Sequence, residues 1–188
     1  MNRETWLNEI TQKYLKDHFN NAGYTIPQNI RMSCSLTSGR GAKNKAIGLC
    51  FSDRASDDNT HEIFISPSID DSIRVVDILI HEIIHATIGL KEGHGKNFRK
   101  CAIALGLTGK MTATTASDQL KEKIKTWVDD MGLYPHAKLN STDNSGGKKQ
   151  STRLIKCQCE CGYNIRITRK WLNDLGAPIC PSCNIQMQ

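Results

Sequence analysis

The chain has 188 residues, of which 38% are hydrophobic, 23% charged and only 6% aromatic, and it carries a formal net charge of +6. That is the composition of a globular protein with a modest core, and it excludes fibrous and low-complexity chains. No eighteen apolar residues occur in succession and residues 1–12 hold no apolar run of signal-peptide type, so we expect neither membrane insertion nor export.

Trp6, Ile10, Tyr14, Leu15 and Phe19 recur at helical spacing, and Gly23 ends the run. Three extended segments follow, Ile30 to Thr37, Lys45 to Phe51 and Glu62 to Ser66. The Gly-rich basic stretch SGRGAKNK at 38–45 suits a hairpin turn between the first two, and together the three predict a small antiparallel sheet. From about Asp70 to Leu90 apolar side chains occupy nearly every side, which makes this helix central and buried, with Ser68 and Asp71 as a capping-box-like start. A shorter helix carries Phe98, Cys101, Ala102 and Leu105 and stops at Gly106. Ser117 caps a last helix whose stripe is Leu120, Ile124, Trp127, Val128 and Met131, with Gly132 past its end. The expected order over residues 1–136 is one helix, a small sheet and three helices, an α+β domain. Residues 137–152, AKLNSTDNSGGKKQST, have no apolar period and read as a flexible linker to a separate module at 153–188.

Five of the eight cysteines fall within residues 157–188. Close pairs in a chain without an export signal read as thiolate metal ligands in a reducing cell interior, so we expect a cytoplasmic or nucleoid-associated protein. Cys180 and Cys183 form one pair; two of Cys157, Cys159 and Cys161 complete four sulfurs for a closed, structural Zn2+. So short a module has too little core to fold without the metal. It also holds the charge excess. Residues 137–188 carry 8 Lys+Arg against 3 Asp+Glu, whereas residues 1–136 carry 17 against 16.

The central helix contains His81-Glu82-Ile83-Ile84-His85. Imidazoles four residues apart share a helical face and can reach one metal ion, while Glu82 is placed to touch a water on that ion. A hydrolytic zinc site needs three protein ligands, one open position and a base for the water. His94 is the candidate third ligand, because Gly89 and Gly93 let the chain fold back after the helix. The competing structural explanation, two buried histidines satisfied by neighbours, must find partners for two imidazoles and a carboxylate on an otherwise apolar helix. A third histidine nine residues after His85 does not match metzincin spacing.

The stretch HEIIHATIGLKEGHGKNF, His81 to Phe98, resembles the active-site signature of SprT-like metalloproteases, the family that includes the Spartan DNA–protein crosslink proteases. That resemblance implies a small zincin-like metalloprotease domain with a C-terminal zinc ribbon. It implies His81, His85 and His94 as ligands of a catalytic Zn2+, Glu82 as the general base, and a protein substrate engaged with or crosslinked to DNA. The family-like Cys-Gly-Tyr followed by a basic strand implies Cys161, with Cys159 rather than Cys157, beside Cys180 and Cys183 in the structural zinc site.

Residues 163–169 alternate as a strand, and Arg166, Arg169, Lys170 and Trp171 then form a basic patch with one aromatic, suited to nucleic acid or simply to solvent. Arg40, Lys43 and Lys45 solvate the expected turn or guide DNA-bound targets, while Cys34, Cys50 and Cys101 read as core thiols. His18 and His61 read as isolated and exposed, and Tyr134 and His136 as packing or surface residues more than oxyanion stabilisers. The expectation is a monomeric zinc endopeptidase; the alternative is a non-catalytic, zinc-stabilised nucleic-acid-binding or regulatory protein.

Overall fold

The computed structural model describes residues 1–37, 46–140 and 154–188. The chain divides into two compact units, Met1–Ser141 and Thr142–Gln188.

The first unit opens with a continuous helical run, α1 (Arg3–Ile10), a π turn (Thr11–Leu15) and α2 (Lys16–Asn21). Asn2 caps it by accepting a hydrogen bond from the Thr5 N–H. Trp6, Leu7, Ile10, Leu15 and Phe19 are buried along it, and the Trp6 indole N–H donates to the Gly132 carbonyl at 2.9 Å.

Three strands follow, β1 (Ile30–Cys34), β2 (Gly48–Phe51) and β3 (His61–Ile65). They do not form the antiparallel sheet or the hairpin that the sequence suggested. β3 lies in the middle, parallel to β1 and antiparallel to β2, so β1 and β2 never pair, and the stretch expected as their turn, 38–45, lies outside the described residues. Alternating apolar positions fix which face of a strand is buried but not which strand lies beside it. The central position suits β3, whose His61, Ile63 and Ile65 all point into the core. His61 is therefore buried rather than exposed, because the alternation turns it inward. His18 is half-buried with its Nε2 3.0 Å from the Leu105 carbonyl.

α3 (Ser72–Ile88) crosses this sheet and is apolar nearly all round, with Val75, Val76, Leu79, Ile80, Ile83 and Ile84 fully buried. Each such side chain contributes roughly 1.5–3 kcal/mol on burial, which anchors the helix strongly enough to carry polar groups as well. Asp71 alone caps it, accepting from the Arg74 N–H at 2.7 Å; Ser68 instead bonds the Ser66 hydroxyl. α4 (Lys96–Ala104) packs Phe98, Cys101 and Ala102 against α3. A hairpin absent from the sequence expectations comes next, β4 (Leu107–Lys110) and β5 (Ala113–Ala116), followed by α5 (Asp118–Met131), capped by Ser117 as expected.

The second unit pairs β6 (Ile155–Gln158) antiparallel with β7 (Asn164–Ile167) and continues into α6 (Arg169–Leu175). The expected strand thus ends before Arg169, because the Thr168 hydroxyl accepts the Trp171 N–H and starts a helix there. Among the described residues its core is Cys157, Cys159, Cys180 and Met187, with Ile165, Ile167 and Leu172 packed against them. Of the expected linker, 141–152 lies outside the described residues, while the Leu139 N–H donates to the Pro67 carbonyl at 2.8 Å.

Candidate metal centres and active site

Helical geometry puts His81 and His85 one turn apart on α3, and the chain beyond brings His94 to them. Gly89 (φ +89°) ends the helix and Gly93 (φ +54°) turns the backbone in a conformation that disfavours other residues. A staple that the sequence did not reveal fixes this loop. The Glu92 carboxylate accepts from the Asn97 N–H at 3.0 Å and from its side-chain amide at 3.1 Å, across Gly95. As a result the Nε2 of His94 lies 3.2 Å from the Nε2 of His81 and 3.2 Å from that of His85. Tetrahedral zinc with Zn–N bonds near 2.0–2.1 Å would space its ligand nitrogens by about 3.4 Å, so the three imidazoles fit such an ion. Phe98, fully buried, backs all three rings with centroids 4.9, 4.7 and 4.9 Å away.

Protonation agrees with ligation. Burial, reinforced by the neighbouring imidazoles, pushes His81 down to about 3 and His85 down to about 4, and burial also lowers His94. All three are neutral near pH 7, as metal binding requires. The His81 Nδ1 lies 2.8 Å from the Thr114 hydroxyl.

Glu82 is 7% exposed, and burial pushes its carboxyl up to about 8. It faces a cleft of about 470 Å3. One wall is residues 46–50 with the edge strand β2, another is Arg74, Ile78, His81, Glu82 and His85 of α3, and Leu90, His94 and Thr112–Thr114 complete it. The carboxylate fits beneath β2 only because residue 48 is glycine. A Cβ there would sit 2.4 Å from Glu82 Oε1 and 2.6 Å from Ile78 Cγ2. A glycine inside a strand already signals close approach, whereas Thr114 leaves no mark in the sequence. Tyr134 and His136 do not line the cleft; Tyr134 packs edge-on against Trp6 and His136 Nε2 lies 2.8 Å from the Pro67 carbonyl.

In the second unit the Sγ atoms of Cys159, Cys161, Cys180 and Cys183 lie within 4.8 Å of one another. The Cys161–Cys180 separation of 3.7 Å matches the roughly 3.8 Å expected for Zn–S bonds of 2.3 Å in a tetrahedron. Two similar turns present the sulfurs: Gly162 follows Cys161 with φ +90°, and Asn184 follows Cys183 with φ +58°. The Tyr163 N–H and neighbouring thiols hold Cys161 down to about 7, whereas its hydrogen bond to Cys161 and burial push Cys183 up to about 12, so in the metal-free cluster the negative charge gathers on Cys161. Cys157 is outside the cluster. It sits in β6 opposite Ile165, facing the small core, while Cys159 lies beyond the strand in the turn. Cys50 and Cys101 are buried thiols, and Cys34 is half-buried with the Arg3 guanidinium 3.6 Å from its sulfur.

No helix among the described residues is long and apolar enough to cross a membrane. No curated protein and no solved structure matches the chain. Residues 7–118 match the family model of the SprT-like family, a span running from α1 through α3, the glycine turn and the hairpin to the start of α5. With that match over more than half its length, the chain belongs to the SprT-like family.

Proposed function

We propose that this protein is a zinc-dependent endopeptidase that cuts proteins bound or crosslinked to DNA inside the cell. His81, His85 and His94 would hold the catalytic zinc, and Cys159, Cys161, Cys180 and Cys183 a structural one. The observation that carries this reading is the meeting of three imidazole nitrogens beside a buried carboxylate in an open cleft. A purely structural zinc site gains nothing from a base poised over accessible space. Membership of a family with a metallopeptidase-like domain supports the same reading.

Zinc in this site supplies Lewis acidity to a peptide carbonyl and to the attacking water. The residues of the chain do the rest. Among the described residues β2 is an edge strand, and its backbone groups would take an extended substrate along the cleft as an added strand. Glu82 accepts the proton of the water and then delivers it to the departing amine.

The DNA partner rests on the second unit. Trp171 is half exposed with the Lys170 ammonium 5.1 Å from its ring centre, and Lys156 pairs across the strands with Arg166. Stacking and phosphate contacts of that kind suit single-stranded nucleic acid. The test is incubation of the full chain with a protein–DNA adduct, with and without the DNA. Cleavage by the zinc-loaded protein that is lost in Glu82→Gln with zinc retained supports the proposal; equal cleavage by Glu82→Gln removes it.

A further inference from the structure

On the reading that His81, His85 and His94 hold zinc, we propose that Thr114 is a positioning residue for that site, fixing the His81 imidazole as its Nδ1–H tautomer. A neutral imidazole offers a lone pair from one nitrogen only, and the hydrogen bond made by the other decides which. The Nε2 of His81 faces His94, so Nδ1 must carry the proton and needs an acceptor. The backbone carbonyls of α3 serve the helix itself. The hairpin supplies one. Thr114 lies on the inward face of β5 with Ala116, is 4% exposed, and places its Oγ1 2.8 Å from His81 Nδ1.

The strand that carries Thr114 is itself tied to α3. Arg74 donates to the Thr114 carbonyl at 3.2 Å and pairs with the buried carboxylate of Asp77 on the next turn. Residues 74 and 81 of α3 therefore grip one residue of the hairpin at two points, its carbonyl and its hydroxyl, and Asp77 holds Arg74 in place. The hairpin is thereby an outer layer of the metal site as well as a wall of the cleft.

The experiment measures zinc affinity of the full chain by competition with a chromophoric chelator, for wild type, Thr114→Val and Thr114→Ser, with 15N NMR of the histidines in the metal-free protein. Val keeps the shape and loses the hydroxyl, so the more exchangeable zinc should bind about 10- to 100-fold more weakly, with Ser close to wild type, as other outer-layer partners behave. The four-cysteine zinc should stay in place in every variant. His81 should appear as the Nδ1–H tautomer in wild type and as a mixture in Val. Unchanged affinity in Val, equal loss in Val and Ser, or an Nε2–H tautomer in wild type would overturn the proposal while leaving the zinc reading intact. If His81→Ala leaves the number of bound zinc ions unchanged, the zinc reading fails and this inference with it.

Discussion

Gly48 lies in the sheet, not among the histidines, yet the structure makes it a sensitive control on catalysis. A methyl group added there would stand 2.4 Å from Glu82 Oε1, 2.9 Å from its Cδ and 2.6 Å from Ile78 Cγ2. Carbon atoms make unstrained contacts at about 3.5–4.0 Å, so each overlap has to relax by roughly an ångström. Ile78 is β-branched, sits on a helix and is 4% exposed, which leaves it little rotamer freedom. The Glu82 carboxylate is the end of an unbranched chain beside an open cleft, and it will give way first. Overpacking of this kind costs about 1–3 kcal/mol of stability, while moving a catalytic group by an ångström can cost on the order of 100-fold in rate. Gly48→Ala should thus bind zinc as wild type does, melt a few degrees lower and lose on the order of 100-fold in kcat. Peptidase assays beside zinc titration and thermal melting measure all three. Full kcat in Gly48→Ala would refute the placement of Glu82 under β2 or its part in the reaction.

Phe98→Ala should cost about 3–5 kcal/mol of stability and weaken zinc binding as well, because one ring backs all three imidazoles; chemical denaturation and metal titration of the same sample check both. In the second unit Cys159→Ala should abolish binding of the structural zinc whereas Cys157→Ala should keep it, as metal counting on the two proteins will show. His18 supplies a pH prediction. Burial lowers its folded pKa below the ordinary 6.5, so above that value it costs the fold nothing, and as pH falls below it the unfolded chain takes up the proton more readily and stability declines. The drop in melting temperature between pH 7 and pH 5 should be smaller in His18→Gln than in wild type; an equal drop contradicts the assignment.

The parts of the molecule that were legible in the sequence are those set by local pattern. α3 announces itself because its apolar residues are so dense that the two histidines and the glutamate stand out as anomalies, and α5 because Ser117 and Gly132 bracket one clean stripe. His94 could be found because two glycines mark the fold-back. The sheet order was not legible, since the parallel pairing of β1 with β3 joins strands about thirty residues apart. The β4–β5 hairpin was missed for a different reason. Its sequence, LTGKMTATTA, has small and polar residues where strands usually carry branched ones, and only Leu107, Thr114 and Ala116 turn inward. Its contribution to the site, a hydroxyl against His81 across thirty-three residues of chain, has no local signature at all. Cys159 was favoured over Cys157 on the resemblance alone; both thiols are buried in the small core, and only Cys159, past the end of β6, joins the metal cluster.

On the proposed reading, three histidines bind one zinc ion separate from that of the four cysteines. Native mass spectrometry of the intact chain, with His94→Ala and Cys183→Ser beside wild type, counts the ions directly. Two zinc ions in wild type and one in each variant is the predicted result; a wild type whose zinc content does not change on loss of His94 contradicts it.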